Sequence, residues 1–102
     1  MKDKIEWYYG LDYTALDIEV HKHFFADRSY AIKPRYTVSM EHAWEIVIQM
    51  RTEEYATFRN MLLKCIRHRT QHPTITYADL VQYMEPVDIC IAAILTVKES
   101  DG

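Results

Sequence analysis

Glycine is scarce in this chain: of its 102 residues only Gly10 and Gly102 are glycine. Loops that cradle phosphates, and sharp turns that expose a nucleophile, need several glycines to bring backbone N–H groups close to a ligand. The scarcity excludes a Walker-type nucleotide loop, a dinucleotide-binding fingerprint and a G-x-S-x-G hydrolase. No motif in the rest of the sequence identifies an activity.

Cysteine and long apolar runs are also in short supply. The two cysteines, Cys65 and Cys90, are too few for the disulfide framework of a small secreted protein, and each lies among apolar neighbours. We therefore expect both thiols to be reduced and buried. The longest apolar run, Ile89 to Leu95, is far shorter than a membrane span, and the first residues contain no apolar core of a signal sequence. We expect a cytoplasmic protein.

Length and composition fit one globular domain. Hydrophobic residues make up 49% of the chain and charged residues 26%, which is ordinary globular usage. A chain of 102 residues has room for one modest core, so residues 1–102 are expected to form a single domain. The formal net charge of −3 argues against a strong general attraction to nucleic acid.

Two neighbouring segments alternate apolar and polar residues as strands do. They are RYTVSM, residues 35–40, and AWEIVIQMRT, residues 43–52. A period of two predicts a β-hairpin with one buried face and its turn at Glu41 and His42.

Two further strands are expected near the ends of the chain. The segment KIEWYY, residues 4–9, reads as the first strand. The last is VDICIAAILTV, residues 87–97, which is rich in β-branched residues and apolar on both faces, with a helix as its alternative.

A long helix is expected over about residues 53–70. Thr52 can cap its N-terminus, and Glu53 and Glu54 in the first turn suit the positive end of the helix dipole. Its apolar stripe, spaced by three and four residues, comprises Tyr55, Phe58, Leu62, Cys65 and Ile66. A short helix of about residues 77–84 follows, because Thr76 and Asp79 form a capping box.

Residues 14–27 fit either element. Thr14 and Asp17 form a capping pair before good helix-forming composition, yet the apolar residues also alternate as in a strand. A helix here completes the order of a ferredoxin-like βαββαβ fold, which we favour, whereas a strand gives a β-meander covered by one long helix. Both alternatives are α+β, with an antiparallel sheet packed by the long and the short helix.

The stretch KCIRHRTQH, residues 64–72, concentrates cysteine, histidine and basic side chains. On a helix Cys65, His68 and His72 would share one face, but Pro73 opposes helical geometry at His72 and a fourth ligand is unassigned. The interpretation we favour is the end of a helix, with its basic side chains at the negative end of the dipole. We assign neither a metal nor a cofactor to it.

His21 and His23 give the best remaining metal hypothesis. On a strand, both rings would share a face with Asp17 and Glu19, a set of imidazoles and carboxylates able to bind a metal. A metal-dependent enzyme using this pair is therefore one alternative function, although solvated surface histidines are the favoured interpretation.

Basic residues fall in two islands separated by acidic flanks. If the fold brings the islands together, they form a positive patch that could meet the phosphates of a nucleic acid. The candidate residues of this patch are Arg28, Lys33, Arg35, Arg59, Lys64 and Arg67.

Tyrosine is abundant, with eight copies in the chain, and aromatic residues crowd near its start. Tyrosine and tryptophan supply stiff, amphipathic contact area and are enriched at protein interfaces. The candidate partner-binding aromatics are Trp7, Tyr8, Tyr9 and Tyr13.

The function that these patterns favour is protein binding without catalysis. A small, acidic chain without an active-site motif suits an inhibitor or adaptor, such as an anti-defence protein of the anti-CRISPR kind from a mobile element. A nucleic-acid-binding module is the first alternative. A homodimer is a related hypothesis, because a twofold partner could cover the second apolar face of the Ile89 segment.

Overall fold

The computed structural model describes residues 4–26 and 35–101, with side chains up to Lys98. Within these residues it is built from α-helices and contains no strand. The helices are α1 (Lys4–Tyr9), α2 (Tyr13–Phe24), α3 (Met40–Gln49), α4 (Tyr55–Thr70), α5 (Leu80–Tyr83) and α6 (Pro86–Asp101). Short 3-10 turns at Thr52–Glu54 and Tyr77–Asp79 lead into α4 and α5.

Helix α6 lies at the centre of the fold. All its side chains from Val87 to Thr96 are buried, including the polar ones of Asp88 and Thr96. A helix that is apolar all round has to be covered on every side, and α1, α2, α3 and α4 pack around it. The core is therefore a layer of helices wrapped around one buried helix.

The prediction of a last strand at VDICIAAILTV is wrong, because this segment is α6. A short apolar run bounded by turn signals fits a buried strand and a buried helix equally well. Two features favour the helix: Pro86 occupies its first position, where the missing N–H costs nothing, and Ala92 and Ala93 are strong helix formers. That the segment is apolar on both faces is correct.

The predicted hairpin is also wrong. Its second segment forms α3, with Ser39 as N-cap, whose side chain accepts a hydrogen bond from the backbone N–H of His42 at 3.3 Å. Its first segment is a turn, in which the backbone N–H of Ser39 donates to the carbonyl of Arg35. The helical stripe of α3 consists of Ala43, Ile46, Val47 and Met50.

The segment KIEWYY forms α1 instead of a first strand. Ile5 and Tyr8, three residues apart, are its buried side chains, and it ends where the N–H of Gly10 donates to the carbonyl of Glu6. With this segment helical, both α+β alternatives fail, the ferredoxin-like arrangement and the β-meander alike. The described part of the chain is all-helical.

The predicted helices are present, with shifted caps. The helical alternative for residues 14–27 corresponds to α2, Tyr13–Phe24, whose N-cap is Asp12 and not Thr14. The expected long helix is the turn Thr52–Glu54 followed by α4, and Glu54 accepts a hydrogen bond from the N–H of Arg51 at 3.0 Å. The short helix is the turn Tyr77–Asp79 followed by α5, with the expected Thr76 and Asp79 bond.

Membrane-spanning helices are absent from residues 4–26 and 35–101, since none of the helices there combines enough length with enough apolar character.

The central position of α6 predicts unequal costs for two similar truncations. Ile94 is fully buried on α6, so Ile94→Ala should lower the free energy of unfolding by about 2–5 kcal/mol through lost burial and a residual cavity. Ile48 on α3 is 73% exposed, so Ile48→Ala should change it by no more than about 0.5 kcal/mol. Urea unfolding followed by circular dichroism measures both, and equal losses would contradict a central α6.

Candidate functional site

An ionic cluster centred on the buried Asp88, and completed by Tyr9, Arg69 and the exposed Glu85, joins α1, α4 and α6. Asp88 is fully buried and accepts hydrogen bonds from the Tyr9 hydroxyl, from Nε of Arg69 at 2.9 Å and from the backbone N–H of Glu85 at 2.9 Å. A terminal nitrogen of Arg69 lies 3.7 Å from the carboxylate of Glu85. These donors and the positive charge of Arg69 compensate for the water that the carboxylate of Asp88 loses on burial.

The electrostatics of this ionic cluster favour a structural role. Burial, together with the nearby Cys65 thiol and the Asp88 carboxylate, raises the pKa of Tyr9 well above its usual range. Burial alone would lower the pKa of Arg69, but the hydrogen bond and charge of Asp88 outweigh it and raise that pKa. Tyr9 is thus held as a neutral donor and Arg69 as a cation, and neither is poised for proton transfer near neutral pH.

The two cysteines lie in the core. Cys65 on α4 and Cys90 on α6 are both fully buried, which confirms the expectation of burial. Burial raises the pKa of the Cys90 thiol, so its reactive thiolate is disfavoured.

A basic cleft lies between α1, α4 and α6 and has a volume of about 460 Å³. It is lined by Lys4, Ile5, Met61, Lys64, Arg67, His68, Leu95 and Lys98. Four of these side chains are cations, and none of the lining residues just named is a carboxylate. The Nε of Arg67 donates to the carbonyl of Ile75 at 2.8 Å, which holds this guanidinium at the edge of the cleft.

A smaller hollow of about 330 Å³ adjoins the basic cleft and is lined by Lys4, Trp7, Tyr8 and Lys98. Lys4 and Lys98 line both, so the two lie side by side at these side chains. Nζ of Lys98 lies 5.4 Å from the centre of the Tyr8 ring, and a hydrogen bond with Tyr8 raises the pKa of Lys98. Trp7 is 49% exposed and meets the edge of Tyr8.

An apolar groove of about 430 Å³ lies between α3, α4 and α5, away from the basic cleft. It is lined by Trp44, Val47, Tyr55, Ala56, Phe58, Arg59, Leu62, Leu80, Val81 and Met84. Trp44 is 43% exposed and Val81 81% exposed. The guanidinium of Arg59 stands 5.1 Å from the centre of the Tyr77 ring, an arrangement that positions the cation at the groove.

The predicted aromatic residues are divided between core and surface. Tyr8 is 4% exposed and packs in the core, and Tyr9 donates a hydrogen bond to Asp88 in the ionic cluster, so both side chains have structural roles. Trp7 and Tyr13, each nearly half exposed, are accessible to a partner.

The residues of the predicted basic patch lie in different places. Lys64 and Arg67 line the basic cleft and Arg59 lines the apolar groove. Arg35 pairs with the buried carboxylate of Asp17 at 2.9 Å. The two remaining candidates, Arg28 and Lys33, lie outside the described residues.

Asp17 forms a tertiary link that local sequence patterns do not predict. Besides pairing with Arg35, its carboxylate accepts a hydrogen bond from the backbone N–H of Thr37 at 2.9 Å. It therefore fastens α2 to the turn before α3, and it does not cap α2 as predicted.

The histidines do not form the metal sites considered from the sequence. Residues two apart on a helix such as α2 do not share a face, so His21 and His23 have different neighbours. Nδ1 of His21 lies 3.4 Å from the hydroxyl of Tyr36, and Nε2 of His23 lies 3.4 Å from the carboxylate of Glu19. His68 stacks on Tyr9 instead of joining Cys65. Throughout the described ranges no group of three or more His, Cys, Asp and Glu side chains could hold a metal ion.

Sequence reasoning missed the apolar groove and half of the basic cleft. A period of two in AWEIVIQMRT places Trp44 on the buried face of a strand, whereas Trp44 is 43% exposed on α3. Lys4 and Lys98 are remote from Lys64 in the sequence, and only the packing of α1 and α6 against α4 brings them together. The signal that was available is Trp44, which falls outside the helical stripe of α3.

Removing the central carboxylate of the ionic cluster should be costly. Asp88→Ala leaves Arg69 without its buried partner and should lower the free energy of unfolding by about 3–5 kcal/mol. Asp12→Ala, which removes the exposed N-cap of α2, should cost about 1 kcal/mol. Chemical unfolding compares the two variants, and equal losses would contradict a central role for the cluster.

Tyr9 should make stability fall in alkaline solution. Its pKa is raised in the folded state, so its contribution is complete below the unfolded value of about 10 and is lost as pH rises above it. The free energy of unfolding of the native chain should therefore drop more steeply above that pH than that of Tyr9→Phe. Absorbance of tyrosinate should show Tyr9 ionising only as the protein unfolds, and identical alkaline profiles would contradict this.

Comparison of the chain with family models, with curated proteins and with solved structures gave no match.

Proposed function

We propose that this chain acts by binding another protein, without catalysing a reaction, and that the apolar groove is its docking surface. The observation that carries the proposal is the exposure of Trp44 and Val81 at a groove lined almost wholly by apolar side chains. Large apolar side chains that remain accessible around a concavity are typical of a protein interface.

The chemistry of the groove favours an amphipathic helix as the occupant. Its apolar walls would take a stripe of aliphatic or aromatic side chains, as in other helix-in-groove complexes. Arg59 is the one charged residue of the lining, and its guanidinium is positioned by Tyr77. A carboxylate on the partner helix would meet this cation and fix the register of binding.

An inhibitor or adaptor works in this way, and an anti-CRISPR protein from a mobile element is the example to test. The proposed setting is a cytoplasm, since two buried cysteines do not make a disulfide framework of the secreted kind. The earlier reason for a homodimer no longer holds, because α6 is covered by the other helices of its own chain. If the chain does form a homodimer, we expect the second copy to occupy the apolar groove and so to exclude a foreign partner from it.

The proposal is tested with two tryptophan variants used in parallel. Trp44→Ala should weaken partner binding by about 2 kcal/mol or more, roughly thirty-fold, because an exposed tryptophan that lines a groove is a typical hot spot. Trp7→Ala is the matched control, since it removes a similarly exposed tryptophan that lines the hollow beside the basic cleft and not the apolar groove. Affinity capture from host cells with the native chain and both variants identifies candidates, and calorimetry with the purified pair measures each affinity.

Charge reversal tests the predicted contact of Arg59. Arg59→Glu should weaken binding, and replacing the matching partner carboxylate by Lys should restore it. If a partner binds the Trp44→Ala variant with native affinity but no longer binds the Trp7→Ala variant, the choice of surface would be contradicted. Concentration-dependent self-association that Trp44→Ala abolishes, seen by sedimentation, would show that a second copy occupies the groove and would contradict a foreign partner.

A further inference from the structure

The basic cleft concentrates positive charge in a chain whose formal net charge is −3. Lys4, Lys64, Arg67 and Lys98 all line it. Glu19 is the acidic residue whose charge reaches Lys98, and it does not belong to the lining. An anion entering the cleft therefore meets cations on several sides while the rest of the protein is acidic.

Three helices place these cations around one apolar floor. Lys64 and Arg67 are three residues apart on α4 and so project from the same flank. Lys4 begins α1, and Lys98 lies on the last turns of α6. The floor between them is made of Ile5, Met61 and Leu95. Low-dielectric walls of this kind strengthen the attraction between an anion and the surrounding cations.

Trp7 adds a flat aromatic surface in the adjoining hollow. Its hollow shares Lys4 and Lys98 with the basic cleft, so a planar group on Trp7 would be within reach of cations. The ring is 49% exposed, and its contact with Tyr8 is edge-on, which leaves Trp7 supported but accessible. Cations that follow a backbone, next to an aromatic ring that takes a base, are the two components of single-strand recognition.

We infer that the basic cleft and the Trp7 hollow bind a segment of single-stranded nucleic acid, with its phosphates near Lys4, Lys64, Arg67 and Lys98 and one base stacked on Trp7. A free nucleotide has the same chemistry on a smaller scale. The extended form is favoured because the cations continue beyond the Trp7 hollow to Lys64 and Arg67, farther than a single nucleotide at Trp7 would use. This surface is separate from the apolar groove, so the inference does not depend on the proposed protein partner.

The charge component is tested by fluorescence anisotropy with labelled single-stranded DNA and RNA of about ten nucleotides, within the usual range for such grooves. Lys4→Glu with Lys64→Glu should lower the affinity by about ten-fold or more, because two phosphate contacts become repulsions. Lys22→Glu with Arg51→Glu is the matched control: it makes the same change in net charge at exposed sites outside the cleft and should have little effect. The logarithm of the native affinity should fall with the logarithm of salt at a slope of roughly −2 to −3.

The stacking component is tested with the chain's own tryptophans. The sequence has two, so Trp44→Phe leaves Trp7 as the sole reporter, and its emission should be quenched on adding the oligonucleotide. Trp7→Ala should lower the affinity by about five-fold or more, as expected for loss of one stacked base. Trp44→Ala should leave it unchanged, which separates this surface from the apolar groove.

Inorganic polyphosphate and a mononucleotide complete the experiment. Weak binding of both, with tight binding of the oligonucleotide, is the expected result. A mononucleotide that binds as tightly as the oligonucleotide would overturn the assignment in favour of a free nucleotide. Equal binding of polyphosphate, with no effect of Trp7→Ala, would overturn the stacking role, and no binding of any oligonucleotide at low salt would overturn the inference as a whole.

Discussion

The burial of α6 on every side is the constraint on which the rest of the structure depends. A helix with apolar side chains all round cannot lie at a surface, so other helices have to surround it. Its two buried polar side chains are both satisfied within the fold. The hydroxyl of Thr96 donates a hydrogen bond to the carbonyl of Ala92 at 2.7 Å, and the carboxylate of Asp88 accepts hydrogen bonds from Arg69 and Tyr9. The apolar interior and the ionic cluster are thus two consequences of the same burial.

Because α4 packs on α6, its remaining flanks determine the two surfaces of functional interest. Residues spaced by three and four along a helix share a flank. One such set, Tyr55, Phe58, Arg59 and Leu62, lines the apolar groove, and another, Met61, Lys64, Arg67 and His68, lines the basic cleft. One helix therefore carries part of the core, part of a proposed protein interface and part of a proposed anion-binding surface.

The sequence predicted helices where local signals agreed and failed where they conflicted. Over α4 the apolar stripe, the acidic first turn and Pro73 all agree, and the helix was predicted. Six of the eight positions from Ala43 to Met50, in and just after α3, are apolar, so periods of two and of three to four both fit. The N-cap Ser39 is the signal that distinguishes them. The ionic cluster was beyond prediction, because Tyr9 and Asp88 are 79 positions apart and meet only through tertiary packing.

Successive residues of the basic stretch at the end of α4 point in different directions around the helix, so each contacts a different part of the molecule. Arg69 turns inward to Asp88, His68 stacks on Tyr9, and Arg67 faces the basic cleft. Through Tyr9 the ionic cluster also holds α1, which carries Lys4 and Trp7. The position of α1 beside the basic cleft therefore depends in part on a hydrogen bond to Asp88, which does not line the cleft. Asp88, which accepts hydrogen bonds from both Arg69 and Tyr9, therefore couples the placement of α1 beside the cleft to the stability of the fold.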